Sequence, residues 1–504
     1  MDSIIKLKSK FGEGCDQTER SIKIGGREGC LIFIECLIDK KLLTEGVIKP
    51  LLDASAKLKK TIDLYKTIAE EVVAVSQITP VKLNQAVDKV LSGNVVLAVK
   101  GESDYLSFSL QGWETRAIAE PPTNSVLKGP REGFVEDIHI NISLIRRRLK
   151  TTDLRIKNLT LGRKSKTKVA LIYLESCVSR DVLNEVKRRL EAVDIDGITA
   201  AYYVESFLRT NNSKLFTQVG STEKPDIAMA KILEGRVIII VDGTPITLSV
   251  PYLFLEDVQS SDDYYMHPAR ATMLRFIRFF GIILGILLPG LYVALESFHY
   301  RLLPIDFLLT LLASIEGISF PPLIEILFVL FLFEILNEAS IRMPKYLGMA
   351  LSIIGALVLG DEAVKAGIIS PPSIIVVAIS GIMLYIIPDQ APVTSLLRIL
   401  FTLAGGFAGF FGIILGFIFL VCYLVTTSNF GTPITAPFAP GVKADKKDAL
   451  VKSSVKNMLT RPKSFPNRNR IRQTPRSMEQ AFDIEKENPD LKGKLTRRAR
   501  GKDD

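Results

Sequence analysis

The sequence is poor in the residues that usually carry redox, metal or disulfide chemistry. Its five cysteines include no CxxC pair and lack the dense spacing of a disulfide-stapled secreted protein, so we interpret them as reduced thiols or core residues. Its three histidines are isolated, and none has a metal-ligand partner at helical or hairpin spacing. These shortages predict that the protein holds no metal and no cofactor.

Signatures of enzymes and ion-binding loops are also missing. The segment 162–167, GRKSKT, lacks the second glycine of a phosphate-cradling loop, so a charged turn between strands is the better interpretation. The segment 194–197, DIDG, has its glycine in fourth place, whereas a calcium-binding loop needs it in sixth place. No serine lies in a GxSxG turn. We therefore predict no catalytic residues, and a binding or transmission role for the soluble part rather than an enzyme.

Charge is distributed unevenly along the 504 residues. Lys, Arg, Asp and Glu crowd residues 1–275 and 441–504, and an apolar block lies between them. The net charge of +10 would suggest nucleic acid if the basic residues formed one stripe among aromatic side chains, but much of the excess lies in the tail beside the apolar block. An anionic lipid surface is the simpler partner, and no nucleic acid is expected.

The part before the apolar block has the pattern of an α/β domain in two subdomains. No apolar stretch of signal-peptide length precedes it, so it is expected to stay in the cytoplasm. After an N-terminal tail, 1–20, subdomain 1 is predicted at 21–140, where VVLAVKGESDYLSFS alternates like a hairpin. Subdomain 2 is predicted at 141–268, where VDGTP supplies a turn between two β-rich runs. The amphipathic stretch GFVEDIHINISLIRRRL is predicted to bridge them.

The apolar block, 269–428, predicts an all-α, multi-span membrane domain. Arg270, Arg275 and Arg278 precede about twenty mostly apolar residues, which indicates a span with its basic end inside. In the last apolar run, Gly405, Gly406 and Gly409 permit a bend or close packing.

Basic residues flank the block on both sides, so we expect both termini in the cytoplasm and an even number of crossings, namely four. Residues 429–504 have few large apolar side chains and are predicted to be a basic, mostly disordered tail.

Acidic residues inside the block are candidates for a functional role. Glu325 and Glu334 lie in or near hydrocarbon, where a charge is costly without a partner, so both are candidate ion-pathway or gating residues. Glu338 and Arg342 have i,i+4 spacing just before Met343-Pro344, which favours a structural ion pair near a helix end.

A stripe of small residues on one helical face has two interpretations. Such a face commonly packs against another helix. Around a symmetry axis the same face could line a pore that closes by dewetting at its apolar rings. The residues are Ser373, Val377, Ser380, Gly381 and Leu384, of which Ser373, Val377, Ser380 and Leu384 are candidates for the ion pathway.

Ordered stretches over both predicted domains carry a family resemblance. They include TEKPDIAMAKILEGRVIIIVDGTP, LPGLYVALESFHYRLLP, EASIRMP and GALVLGDEAVKAGIISPPSIIVVAISGI. Together they resemble the GerA family of spore germinant receptors, specifically their A subunits, from about residue 21 to 440. A relative, the stage V sporulation protein AF, shares most of these motifs.

The resemblance implies a multi-pass protein of the spore inner membrane that acts with B and C partner subunits. It implies detection of nutrient germinants, a start of ion release, and assembly of A subunits into an oligomeric channel. Two functions stay open: a signalling subunit that contributes to a ligand-gated cation pathway, and a non-conducting scaffold or AF-like accessory protein that assembles germination complexes.

Overall fold

The computed structural model describes residues 3–12, 14–60, 63–112, 128–210, 215–342, 360 and 362–473. Two α/β subdomains are followed by a helical domain and by a C-terminal segment, residues 428–473, that returns to the soluble part. The predicted class of the two main parts, α/β and then all-α, is confirmed.

Subdomain 1 is a five-stranded antiparallel sheet with the strand order β1-β2-β4-β5-β3. The first hairpin turns at Gly25 and Gly26, both with positive φ, a conformation that glycine adopts without steric cost. The elements are α1 (Ser3–Lys8), β1 (Gln17–Ile24), β2 (Arg27–Ile34), α2 (Lys40–Leu42), a π-helical turn (Leu43–Ile48), α3 (Lys49–Asp53), α4 (Leu64–Thr67), β3 (Ile78–Val81), α5 (Leu83–Leu91), β4 (Val95–Val99) and β5 (Tyr105–Phe108).

Subdomain 2 has a second five-stranded antiparallel sheet, in the order β6-β7-β9-β10-β8. The predicted bridging helix, α6, packs on one face of this sheet, and its Arg146 reaches back to Asp16 before β1. The elements are α6 (Ile138–Arg148), β6 (Leu154–Leu161), β7 (Thr167–Leu174), α7 (Arg180–Glu191), α8 (Ala201–Leu208), β8 (Gly220–Thr222), α9 (Pro225–Leu233), β9 (Val237–Val241) and β10 (Thr247–Val250).

The two subdomains are an internal duplication, because hairpin, helices, short strand, helix and hairpin recur in the same order. The segments VLSGNVVLAV, 90–99, and ILEGRVIIIV, 232–241, correspond to each other. In both, a glycine with positive φ, Gly93 or Gly235, ends a helix and starts a buried strand. A comparison of the chain with itself could have detected this repeat.

The first residues do not form a separate N-terminal tail. Leu7 and Phe11 are fully buried in subdomain 1, and the Ser3 hydroxyl donates to the Val99 carbonyl. Apolar side chains at these positions drive this packing, so the predicted boundary at residue 20 is corrected to include the N-terminus in subdomain 1.

The helical domain is built on α10, which packs against α12, α14 and α15. A short apolar helix, α11, follows it. The elements are α10 (Pro268–Ser297), α11 (Ile305–Ile315), α12 (Pro322–Arg342), α13 (Ala363–Lys365), α14 (Pro371–Leu384) and α15 (Ala391–Thr426).

Helix α15 is a hairpin of two limbs that meet at Gly409. Gly409 has φ 58° and ψ −145°, which is not helical. A Cβ on Gly412 would collide with the Ala404 carbonyl oxygen, and one on Gly416 would lie 3.1 Å from the Phe401 ring, so the second limb runs back along the first. The predicted bend among the last glycines is therefore present. Each limb, at 1.5 Å per residue, is about 25 Å long.

The outer surface of the helical domain is apolar, as expected of helices that face lipid. Monomeric soluble proteins rarely expose large contiguous apolar patches. Pro268–Ser297 and Pro388–Thr426 are long and apolar enough to cross a membrane. Exposed apolar side chains include Phe280, Phe331, Ile382, Phe407, Phe411 and Phe419. These features support association with a membrane.

The C-terminal segment packs on the soluble part, so the prediction of a mostly disordered tail is corrected for residues 429–473. Arg461 Nε donates to the Leu233 carbonyl at 2.5 Å, and Phe465 lies under the Arg236 guanidinium, 3.8 Å from ring centroid to Cζ. Some of its apolar side chains, such as Ile434 and Phe465, are buried against the rest of the chain, which composition alone does not predict. Residues 474–504 lie outside the described residues.

The duplication explains where the C-terminal segment docks. In subdomain 1, the residues after β5 pair with those after β2: Gln111 bridges Ile38, and Gly112 N donates to the Leu37 carbonyl. In subdomain 2, the chain after β10 leaves for the helical domain. Asn467 and Arg468 take the corresponding place, beside Val178 and the Cys177 carbonyl. The C-terminal segment therefore completes subdomain 2.

We expect Asp448→Asn to lower the free energy of unfolding by about 1 to 2 kcal/mol, because it weakens a charged hydrogen bond to the buried Arg275, 3.0 Å away. Thermal unfolding of the purified chain in detergent measures this. Lys446→Gln, an exposed neighbour, is the control and should change little. Equal stability of both variants would contradict a fixed position for this segment.

Candidate functional site

Two buried polar clusters interrupt the apolar interior of the helical domain. We call the end of this domain that contacts subdomain 2 the soluble end, and the opposite end, near Gly409, the far end. The far-end cluster contains Glu325 with Ser370 and Ser373, and the arginine cluster contains Arg398 with Glu334 and Ser380.

Glu325 caps the beginning of α14. The Ser370 backbone N–H and hydroxyl each donate to Glu325 Oε1 at 2.6 Å, and the carboxylate is 1% exposed. Ser370 precedes two prolines, so it is a suitable N-cap, and a negative charge is favoured at a helix N-terminus. Glu325 therefore has a structural role that sequence reasoning did not identify.

Glu334 belongs to the arginine cluster. Arg398 Nη2 donates to Glu334 Oε1 at 2.7 Å, the Ser395 hydroxyl donates to the same oxygen, and Arg398 Nη1 lies 3.3 Å from Ser380 Oγ. Arg398 is fully buried, and its Nε has no partner among the described residues. A charge at this depth is stable only when paired.

Ser380 has a further partner that explains its burial. Pro289 lies inside α10 and has no N–H, so the carbonyl of Gly285, four residues earlier, lacks its helical donor. The Ser380 hydroxyl donates to that carbonyl at 2.6 Å. Ser380 thus joins α14 to the proline break of α10.

The stripe on α14 faces other helices of the same chain. The prediction that this stripe could line a lumen between protomers is therefore corrected. Ser373, Val377, Ser380 and Leu384 are buried, and Val377 packs with residues of α10 and α12. A Cβ on Gly381 would collide with Phe333 of α12. The small side chains let the helices approach, and the outward face carries isoleucines instead: Ile375, Ile379 and Ile382.

Glu338 and Arg342 form the pair that their spacing predicts. Arg342 Nη2 lies 2.5 Å from Glu338 Oε1, and both side chains are mostly exposed. An exposed pair of this kind contributes little to stability.

Sequence reasoning did not identify Arg398 as a candidate for this site. The signal was a single charged residue in the apolar run SLLRILFTLAGG. A search for an oppositely charged residue in another apolar run would have suggested Glu334 as its partner.

The soluble and helical domains are joined by buried charges at the start of α10. Asp263 accepts from Arg275 Nε at 2.9 Å and from Arg278 Nη1 at 2.9 Å, and Arg275 also reaches Asp448. These arginines, predicted to mark the cytoplasmic end of a span, are thus paired within the protein.

A second connection leads directly to α15. Gln390 Nε2, one residue before α15, donates to Asp257 Oδ2 at 2.6 Å, and Tyr252 donates to the same oxygen. Burial raises the pKa of the Asp257 carboxyl to about 7. Asp257 is thus protonated below that pH and ionised above it.

The described residues contain no group of three or more His, Cys, Asp or Glu side chains placed to hold a metal ion. The polar side chains of this region instead form ion pairs and helix caps. Helix α15 connects those at the junction with the soluble part to the arginine cluster.

Comparison with known proteins decides the family. A family model described as "Bacillus/Clostridium GerA spore germination protein" matches residues 5–464. The chain belongs to the GerA family of spore germination proteins.

Relatives in the GerA family are similar over nearly the whole chain. Spore germination protein KA of Bacillus subtilis (strain 168) is 36% identical over 480 residues, which cover 94% of this chain and 87% of that protein. Spore germination protein GerLA of Bacillus cereus is 30% identical over 463 residues, 91% of this chain and 94% of that protein. The predicted membership among GerA-family A subunits is confirmed.

The solved structures include the N-terminal domain of the A subunit of the Bacillus megaterium spore germinant receptor GerK3. It is 27% identical to this chain, with a TM-score of 0.39, and the alignment covers 50% of this chain and 94% of that domain.

Proposed function

We propose that this GerA-family protein is the A subunit of a nutrient germinant receptor in the spore inner membrane. It acts with B and C partner subunits to convert germinant detection into ion release, as one protomer of an oligomeric, ligand-gated cation channel.

The observation that carries this proposal is the link from subdomain 2 to the ion pair between the buried Arg398 and the half-buried Glu334. Gln390 contacts Asp257 of the soluble part, and Arg398 lies two helical turns further along the same limb of α15, about 12 Å away. A movement of the soluble part relative to α15 would therefore displace a charge inside the apolar domain. Rearrangement of a buried ion pair is a plausible physical basis for gating.

The proposed topology has both termini on the cytoplasmic side. Five described passes, α10, α12, α14 and the two limbs of α15, run between the soluble end and the far end. Asn337 of α12 contacts Tyr385 toward the soluble end, and Ser319, before α12, contacts Gly367 toward the far end. Because both proposed ends lie on the same side, the number of crossings is even, and these five passes already exceed the predicted four.

Anionic lipid remains a proposed partner of the C-terminal segment. Lys463, Arg468 and Arg470 are exposed there, and each basic residue close to an anionic surface contributes about 1 kcal/mol of attraction. A homo-oligomer and the B and C subunits are the other proposed partners.

A non-conducting scaffold, or an AF-like accessory protein, is the second candidate. It is favoured by the packing of the α14 stripe inside the protomer, which removes the most obvious pore-lining face.

Potassium release from liposomes separates the two candidates. We expect liposomes with this chain and its partner subunits to release potassium when germinant is added, and liposomes without this chain to stay closed. Glu334→Gln should reduce the flux, while Glu338→Gln, on an exposed pair, should leave it unchanged. No flux from a complex shown to be oligomeric by crosslinking would support the scaffold.

A further inference from the structure

A cavity of about 1010 Å³ lies where subdomain 2, the helical domain and the C-terminal segment meet. Asp226 and Lys231 of α9 line it, together with Tyr252, Asp257, Asp389 before α15, and Phe465 of the C-terminal segment. Small-molecule sites are commonly concave, of this size or smaller, and located between domains.

One wall of this cavity has a buried acceptor without a donor. Asp226 is 9% exposed; Tyr265 donates to its Oδ2, but its Oδ1 has no hydrogen-bond partner among the described residues. Two further buried acceptors adjoin lining residues and are also unpartnered in the described part of the chain: Glu223 Oε2 and Gln390 Oε1. Buried polar atoms are normally satisfied, so this wall suits a ligand that donates hydrogen bonds.

The buried or partly buried basic residues of the cavity already form ion pairs with carboxylates of the chain. Lys231 lies 3.0 Å from Glu256, and Arg236 is paired with both Glu256 and Glu234. Arg209 and Arg278, which also line the cavity, are paired with Glu205 and Asp263. Two more lining cations, Lys447 and Arg472, are exposed on the C-terminal segment.

Two acidic groups of the lining, Asp226 and Asp389, are less closely paired with cations. Lys224 Nζ is 3.8 Å from Asp226, and Asp389 is exposed. Tyr265, which also lines the cavity, is exposed, and a tyrosine ring attracts cations. The Tyr264 ring already has Lys452 Nζ 4.4 Å from its centroid.

We propose that this cavity binds a small organic cation with a primary ammonium group. The ammonium donates to Asp226 Oδ1, while Asp389 and the ionised form of Asp257 add favourable charge. Because the cavity wall comes from three parts of the chain, a bound cation holds them together. This site does not depend on whether the protein conducts ions.

The test compares 1,4-diaminobutane with 1,4-butanediol, a neutral molecule of the same length, by calorimetric titration of the purified full chain in detergent at constant ionic strength. We expect saturable binding of the diamine and none of the diol. Asp226→Asn should weaken diamine binding at least tenfold, and Asp389→Asn should weaken it severalfold. Asp181→Asn, an exposed acid of α7, should leave it unchanged.

The pH dependence gives a second readout on the unmodified chain. Asp257 is faced by Tyr252, Gln390, Glu256 and Asp389, and it loses its negative charge as the pH falls from 8 to 6, while the diamine stays protonated. Binding should therefore weaken severalfold over that range. Equal binding of diol and diamine, no binding of the diamine, or full affinity in Asp226→Asn would each overturn the proposal.

Discussion

Replacing Arg398 with methionine should destabilise the helical domain by about 3 kcal/mol, because it leaves the half-buried Glu334 carboxylate without its cation in an apolar domain. Methionine fills a similar volume without charge, so the loss reports the unpaired partner rather than a cavity. We expect a lower midpoint of thermal unfolding in detergent and lower abundance in membranes.

The double variant Arg398→Met with Glu334→Leu is the decisive comparison. With both charges removed, most of the stability should return, because apolar replacements of a buried pair are often neutral. Arg342→Met, which breaks the exposed pair with Glu338, should cost under about 1 kcal/mol. An Arg398→Met protein as stable as the wild type would show that the arginine cluster contributes nothing to the fold.

Replacing Gly405 with leucine should cost about 3 kcal/mol or more, because α10 and the first limb of α15 touch backbone to backbone there. A Cβ on Gly405 would lie closer than 3.0 Å to the Gly290 carbonyl oxygen, and one on Gly290 would collide with the Phe401 carbonyl. Neither backbone can move away without disturbing a whole helix, so overpacking is not relieved locally.

Gly290→Leu should give the same loss, measured as increased digestion by a protease in membranes and a lower unfolding midpoint. Gly441→Ala is the control, since its Cβ would meet only the Phe438 carbonyl oxygen at 3.9 Å. Unchanged protease resistance in Gly405→Leu would rule out close contact between these helices.

Local patterns predicted the individual elements well. Alternation and turn residues identified the hairpins around Gly101 and VDGTP, and the amphipathic pattern identified α6, since each depends on residues close in sequence. The i,i+4 contact of Glu338 with Arg342 was predictable for the same reason. The glycines of the last apolar run likewise indicated a bend.

The partners of buried groups were not predictable, because pairing across helices depends on rotation and register. Glu334 meets Arg398 only because α12 and α15 cross where they do. The α14 stripe illustrates the same limit: periodicity identified one coherent face, but a small-residue face fits a lumen and a helix contact equally well. Glu325 was identified as ionisable, whereas its role as a cap requires Ser370 to lie beside it.

The packing of the C-terminal segment could not be predicted from its composition, for a different reason. A basic, proline-containing stretch cannot build its own core, and this one instead packs on subdomain 2 beside Val178 and Gly235. The internal duplication would have indicated the docking position. In subdomain 1 this position holds residues after β5, whereas in subdomain 2 the chain leaves for the helical domain after β10.

The packing of Asn467 and Arg468 on subdomain 2 has a consequence for biosynthesis. Subdomain 2 emerges from the ribosome before Asn467 and Arg468 are translated, and the whole helical domain is translated between the two. The soluble part therefore reaches its complete set of contacts only after the last limb of α15 has been made. A nascent chain that stalls earlier leaves the Cys177 carbonyl and its surroundings uncovered, which would let chaperones and proteases distinguish an unfinished protein from a complete one.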